Sequence, residues 1–314
     1  MNQVRLESLA PREWPSPAVT IGNFDGVHRG HRTLIDAAAR WAEAERGTVV
    51  VLTLDPHPAR LLDPERAPTT LTTVEQKGEL LAALGVDVFA VLPFTAALAE
   101  RSAEDFVRRV LVQALGARRV VIGEDFRFGH RREGDVGRLR ALGEEHGFGV
   151  EALAPVVHEG RPISSSRVRE ALARGEVAEA RALLGRAFFL DGKVVAGERR
   201  GRTLGFPTAN LDTPNETLPR VGVYAARCRV PSADWIPAVV NIGRRPTFGG
   251  GGVSVEAHLI DHDADLYGAD LRTEFVARLR DERRFDGPGE LVAQIGEDVA
   301  RARTLVADRP PEGV

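Results

Sequence analysis

The sequence predicts two modules of different class: an α/β unit with a parallel sheet, then an antiparallel β unit with a closing C-terminal helix. Three observations carry this. A length of 314 residues suits two domains better than one. Residues 18–190 alternate short apolar or β-branched runs with amphipathic stretches. After about Leu184, strand-like runs follow one another across Gly, Pro and Asp turns, with no helical stretch between them. The expected domains are therefore 1–185 and 186–314.

In the first module the strand-like runs are Val19–Ile21, Thr48–Leu54, Asp87–Leu92 and Arg119–Ile122. The stretches His31–Arg46, Ser102–Leu115 and Asp135–Gly147 have helical periodicity. Strands alternating with helices imply βαβ crossovers and a parallel sheet covered on both faces. Ser102 is a candidate N-cap with Asp105 three residues on, and Gly175 and Gly185 read as helix stops. In the second module Phe188–Val195, Val221–Val230, Ala238–Ile242, Val253–Ile260 and Leu271–Leu279 are strand-like, which predicts a barrel or a sandwich. Glu290–Ala307 is the closing helix, and residues from Asp308 onward read as a frayed tail.

Composition narrows the function classes. An apolar share of 43% lets each half bury a core. A net charge of −3 gives no global attraction to nucleic acid or to an anionic membrane, so neither is an expected partner. Lys77 and Lys193 are the only lysines among 42 basic residues. Cys228 is the only cysteine, which excludes an intrachain disulfide framework and a thiolate zinc site. No stretch approaches the ~18 consecutive apolar residues of a membrane span. A cytoplasmic protein is expected.

The strongest local feature is GNFDGVHRGH, Gly22 to His31, which follows a predicted strand and opens a predicted helix. Open α/β sheets bind ligands there, beyond the carboxyl ends of strands and at a helix N-terminus. Gly22, Gly26 and Gly30 permit sharp turning and close approach to a phosphate. His28 and His31, three apart, project from one side of the first turn and suit the charge that develops in phosphate transfer. Taken alone, the pair is equally a turn with two solvent-facing imidazoles. With His57 of TLDPHP it offers three zinc ligands, although the glycine context favours phosphate. No Gly-x4-Gly-Lys-Ser/Thr loop occurs.

Further along, Ser164, Ser165 and Ser166 precede or open a helical stretch, where their hydroxyls either cap the helix or bind phosphate. Arg167 adds a permanent planar cation, and Arg161 is a weaker candidate for the same work. Asp125, in GEDFRFG, either holds Mg²⁺ or makes a turn.

These residues carry a resemblance. GNFDGVHRGH looks like the HxGH signature of the nucleotidyltransferase superfamily, and more narrowly resembles the FMN adenylyltransferase half of bacterial bifunctional riboflavin kinase/FAD synthetases. TLDPHP (Thr53–Pro58), GEDFRFG (Gly123–Gly129) and GRPISSSRVR (Gly160–Arg169) are similar to further motifs of that family. Leu54, Ser166 and Val168 depart from its usual residues without removing a charged group. The second module agrees. GRTLGFPTANL (Gly201–Leu211) resembles the riboflavin-kinase motif GRxLGFPTAN, followed in order by VNIGRRPTF (Val240–Phe248), VEAHLID (Val255–Asp261) and DLYG (Asp265–Gly268). The resemblance runs from about residue 18 to about 305.

It implies a Rossmann-like nucleotidyltransferase domain and a riboflavin-kinase barrel. It implies riboflavin, FMN, FAD and ATP/ADP as substrates and products, with Mg²⁺ accompanying ATP. In the first domain Gly22, Phe24, Gly26, His57, Asp125, Arg161, Ser164 and Arg167 would meet nucleotide and phosphate, with His28 and His31 catalytic. In the second, Gly197, Gly201 and Pro207 would line the phosphate site. Thr208 and Asn210 are hard oxygen donors on one side of an extended segment and would hold Mg²⁺. Glu256 would be the general base, although by itself a strand Glu is usually a solvated one. The alternatives are a transferase acting on another phosphorylated metabolite, such as a pterin or pantetheine phosphate, and a flavin-binding sensor without catalysis. The kinase motifs disfavour the first and the intact candidate catalytic residues disfavour the second.

Overall fold

The computed structural model describes residues 1–197, 205–231, 233–244 and 252–308. The chain divides into two compact units, one from Met1 to Ser164 and one from Ser165 onward. The change in sequence character near 185 marks where helices give way to strands. The packing division falls earlier, because the helices α7 (Ser165–Arg174) and α8 (Val177–Leu184) belong with the second unit. α8 packs on a barrel strand, and Gly175 lies against Arg278 and Tyr224.

In the first unit, β1 (Asn2–Arg5), β2 (Pro17–Ile21), β3 (Thr48–Asp55), β4 (Val88–Pro93), β5 (Arg119–Gly123) and β6 (Gly149–Leu153) form one sheet. The order is β1-β4-β3-β2-β5-β6, with every pairing parallel. α1 (Arg29–Glu45) follows β2 and packs on β2, β3 and β5. Strand alternation sends Val19, Ile21, Val50, Leu52, Val120 and Ile122 to the opposite face. There they bury against Phe106, Val107, Val110, Leu111, Leu139 and Leu142. Those residues come from α5 (Ala103–Phe106) with its continuation 107–114, and from α6 (Val136–His146). The sheet is thus covered on both faces, as expected.

Ser102 caps α5 by accepting the Asp105 amide, as the sequence predicts. Residues 107–114 are wound as a π-helix rather than the expected α-helix. Strand order reverses between β2 and β5, whose chain neighbours lie to opposite sides. A crevice opens at such a switch point beyond the strands' carboxyl ends.

In the second unit, β9 (Phe189–Val195), β10 (Ala209–Asp212), β11 (Gly222–Arg229), β12 (Ile236–Arg244), β13 (Val253–Leu259) and β14 (Asp270–Arg280) close a barrel in the order β10-β13-β12-β11-β14-β9. All its pairings are antiparallel. Register assigns the faces, because residues directly opposite share one. Tyr224, Val240 and Ala257 make one fully buried row, and Ile242, Val255 and Leu211 make another. The other face carries Val223, Ala225, Val239 and Leu279, which pack with Ala302 of α9 (Pro288–Ala307). The helix therefore closes the barrel from outside. Cys228 is buried in the wall beside Thr273, and burial pushes its thiol up to about 12, too high for a nucleophile near neutrality.

Candidate active sites

The first cluster lies at the switch point of the parallel sheet. β2 continues to Gly22, whose amide bonds to the Leu52 carbonyl, and the chain then turns through residues 22–28 into α1. The turn is left-handed at Phe24 (φ 46°), Gly26 (φ 80°) and Val27 (φ 41°). A β-branched residue there is costly, on the order of 1–3 kcal/mol. The surroundings hold it. Asp25 is buried and accepts the amides of Leu71 and Thr72 at 2.9 and 3.2 Å, and Gly26 donates to the Thr72 hydroxyl at 3.1 Å. Phe24 is fully buried and tilts against the His31 ring at 4.9 Å.

His28 is the N-cap of α1 rather than a residue of its first turn. The His31 amide donates to His28 Nδ1, and the His28 amide donates to His31 Nδ1, each at 3.3 Å. The two imidazoles thus form a reciprocal capping box, the arrangement usually made by Ser/Thr and Glu. Their rings stack at 3.6 Å and 13°. Gly30 makes room, since a Cβ there would press on the His28 ring at 3.2 Å. The chemistry follows from the bonds. A neutral imidazole has one N–H, so a neutral ring whose Nδ1 accepts a cap bond carries its proton on Nε2. Burial, then the positive potentials of His28 and Lys77, hold the His31 pKa well below its ordinary value. The pair is a double Nε2–H donor at a helix N-terminus, suited to phosphate oxygens.

His57 caps the short helix α2 (Pro58–Leu62) by accepting the Ala59 amide at 3.2 Å, and its Nε2 lies 2.9 Å from the Asn23 amide nitrogen. Its partner is therefore the loop, and it does not join His28 and His31 as a third ligand of a shared ion. Asp125 follows β5, exposed, with a carboxylate oxygen folded back over Gly123. Arg161 is exposed on β8 (Arg161–Pro162), which pairs with β7 (Val157–His158). Ser164 immediately precedes α7. Arg167, in the second unit, is buried and donates to Glu179 at 2.6 Å, so its charge is already engaged.

Sequence reading passed over Lys77. It lies on α3 (Val74–Ala83), which Thr73 and Gln76 cap reciprocally. Its Nζ donates to the Asn23 carbonyl at 2.7 Å and to Thr53 Oγ1 at 3.4 Å. The available signal was compositional: a lysine among 40 arginines occupies a place where a compact ammonium, not a guanidinium, fits.

The second cluster lies on the outer face of the barrel. Glu256 on β13 stands opposite Asn210 on β10 and Asn241 on β12, so the three share one face in a row across three strands. Asn210 is buried, and a Cβ at Gly197 would overlap its side-chain amide. Glycine at 197 is thus what lets the chain beyond β9 lie on Asn210. Thr208 is exposed just before β10, and the Pro207 carbonyl is 2.8 Å from His258 Nδ1. Asn241 joins this row by strand register, and sequence reading did not single it out. A carboxylate oxygen of Glu282 also reaches this face, 2.7 Å from where a Gly243 Cβ would be. Gly201 and residues 245–248 of the second kinase motif lie outside the described residues.

A donor-lined loop at the switch point of a parallel sheet, joined in one chain to a closed barrel with an oxygen-rich row, defines a two-module, nucleotide-dependent transferase. Family models agree: one described as FAD synthetase matches residues 10–167, and one described as riboflavin kinase matches residues 184–306. The bifunctional riboflavin kinase/FMN adenylyltransferase of Escherichia coli K12 is 40% identical over 94% of this chain and 94% of its own. That of Pseudomonas fluorescens is 40% identical over 96% of each, and that of Bacillus subtilis 34% identical over 94% of each. The chain belongs to the bifunctional riboflavin kinase/FMN adenylyltransferase family. A solved structure from Streptococcus pneumoniae, named a macrolide-efflux protein, matches with a TM-score of 0.89 at 30% identity, over 96% of this chain and 99% of that one. Among the described residues, no helix is long and apolar enough to cross a membrane.

Proposed function

We propose that the chain phosphorylates riboflavin to FMN and then adenylylates FMN to FAD, with ATP as co-substrate in both steps. The single observation that best supports the pairing is chemical contrast. The barrel offers the Glu256 carboxylate flanked by the amides of Asn210 and Asn241, and the switch-point loop offers imidazole donors, its own carboxylate, Asp25, being taken up by backbone amides.

In the kinase step Glu256 takes the proton of the ribityl 5′-hydroxyl as its oxygen attacks the γ-phosphorus, and ADP leaves. Asn210 and Thr208 supply hard oxygens that fit Mg²⁺ brought in with ATP, and the ion would neutralise phosphate charge. Gly197 and Pro207 shape the phosphate side of this site. In the second step an FMN phosphate oxygen, already anionic, attacks the α-phosphorus of ATP and pyrophosphate leaves. Here the residues align and stabilise charge. His28 and His31 donate through Nε2 to the transferred and leaving phosphates. Gly22, Phe24 and Gly26 shape the loop around them, and His57, Asp125, Arg161 and Ser164 complete the nucleotide side.

The functional boundary is near 185, with 1–185 adenylylating and 186–314 phosphorylating. The protein works in the cytoplasm, without nucleic-acid or membrane partners. The deciding experiment is product analysis of the full chain with riboflavin and ATP, with and without Mg²⁺. FMN followed by FAD, both requiring Mg²⁺, is expected. Absence of either product would remove that half of the reading. Fragments starting at 165 and at 186 test the boundary, with FMN and no FAD expected from a folded barrel.

A further inference from the structure

The α/β unit buries Lys77, its single lysine, directly beneath the candidate phosphate loop. Lys77 is only 8% exposed, and its ammonium closes a ring of three hydrogen bonds. It donates to the Asn23 carbonyl at 2.7 Å and to Thr53 Oγ1 at 3.4 Å, and the Thr53 hydroxyl donates to the same carbonyl at 3.1 Å. The two donors come from α3 and from the end of β3 and converge on one peptide of the loop. The Asn23 side chain in turn meets His57 Nε2 at 2.9 Å. Holding the Asn23 peptide therefore holds both the loop that leads to His28 and the ring of His57.

Burying a lysine ammonium is expensive, and a carbonyl and a hydroxyl offset only part of the cost. The carboxylates of Asp25 and Asp55 favour the charged form, and burial still outweighs them. Asp25 is itself committed to the amides of Leu71 and Thr72. An apolar residue would fill the volume at lower cost, so the retained cation calls for another use.

We propose that Lys77 is a positioning residue for adenylyl transfer: it fixes the Asn23 peptide, and through it the 22–28 loop and His57, and supplies a fixed positive charge beneath bound phosphates. This inference rests on the assignment of adenylyl transfer to the first unit. The same charge acts on His31. The charged and titratable groups that bear on the His31 ring are His28 and Lys77, and both oppose its protonation. Lys77 thereby helps keep the His31 ring a neutral Nε2–H donor whose Nδ1 is free to accept its cap bond.

The test uses the full-length protein and FMN supplied with MgATP. Lys77→Met removes charge and donor at similar length. Lys77→Gln keeps a donor and removes the charge. Riboflavin phosphorylation in the same preparation controls for concentration and overall integrity, and thermal melting confirms that the α/β unit is folded. For Lys77→Met, kcat for adenylylation should fall by about 10²-fold with a smaller change in the KM for ATP, as expected when a group acts on the transition state rather than on uniform binding. The acidic limb of the kcat/KM profile should move to higher pH in both variants, because His31 loses a repelling neighbour. Lys77→Gln should recover part of kcat and none of the pH shift. If Lys77→Met does not fold, Lys77→Gln carries the test through its pH profile. A folded variant that adenylylates FMN within about threefold of the wild type, with the acidic limb unmoved, overturns the proposal. Failure of the wild type itself to adenylylate FMN would instead overturn the function on which it rests.

Discussion

The reciprocal histidine cap gives each imidazole two jobs on two different nitrogens, and the jobs can be separated. Nδ1 of each ring accepts a backbone amide at the start of α1, and Nε2 is the atom proposed to meet phosphate. Replacing both by alanine removes both jobs. Two side-chain-to-backbone bonds at a helix N-terminus are lost, at about 1 kcal/mol each, or about 2 kcal/mol together. For a unit of this size that lowers the melting temperature by roughly 4–8 °C. His28→Asn with His31→Gln removes only the second job. An amide oxygen on an N-cap Asn accepts the N3 amide much as Nδ1 does, and Gln at N3 completes an ordinary capping box. This pair should melt within about 2 °C of the wild type. Both double variants should nevertheless lose adenylylation of supplied FMN by about 10²–10³-fold or more, since an amide cannot reproduce the Nε2–H donor at the same reach. The assays are FAD formation from FMN, FMN formation from riboflavin as internal control, and thermal denaturation. Wild-type FAD formation by the Asn/Gln pair would refute the idea that Nε2 does the chemistry. An alanine pair as stable as the wild type would refute the capping bonds.

Three further outcomes follow from the geometry. Glu256→Gln keeps the shape of the row with Asn210 and Asn241 and removes the proposed base, so riboflavin phosphorylation should fall by about 10²–10⁴-fold while adenylylation of supplied FMN is unchanged; loss of the second activity instead would separate Glu256 from the kinase step. Gly197→Ala drives a methyl group into the buried Asn210 amide. The expected result is a strained barrel, less stable by about 1–3 kcal/mol, with weaker Mg²⁺ dependence of kinase activity, and an unchanged Mg²⁺ titration would contradict the contact. His31 is held neutral in the folded protein, with its pKa below the ordinary 6.5. As pH falls through that value the unfolded chain binds a proton that the folded chain refuses. Stability should then drop by about 1.4 kcal/mol per pH unit from the ordinary value down to the folded pKa, and be fully present only above the ordinary value. Melting curves should show this acid slope, and His31→Gln should flatten it.

What the sequence displayed and what it hid divide along physical lines. The loop at Gly22–His31 was legible because a β-branched strand, closely spaced glycines and a helix start occur within one short stretch. The inner strands β2 to β5 were legible because they are buried on both faces and read as apolar runs. β1 and β6 are the edges of that sheet, and neither contains a fully buried residue, so neither leaves an apolar signature. α3 was missed although Thr73 and Gln76 spell its cap, because buried Gln76, Lys77 and Gly78 break the apolar period. The Lys77–Asn23 bond joins residues 54 apart, and the pairing of Asn241 with Glu256 depends on strand register. Neither is visible in a local pattern. The π winding of residues 107–114 has no sequence signal that we can identify.

The short strand β10 has a mechanical consequence. It has four residues and pairs through only three of them on each side, with β9 and with β13, yet it completes the ring. With so few ladder bonds, this seam is where the barrel should most easily breathe, through brief local openings that leave the other strands in place. Asn210 sits in the middle of the seam. Anything that coordinates its side chain from the outer face has nothing to hold while the seam is parted, so a bound ion or nucleotide latches the ring. The amides of Asn210 and Leu211 should then exchange with solvent more slowly in proportion to ligand occupancy, which makes them a built-in gauge of how full the site is.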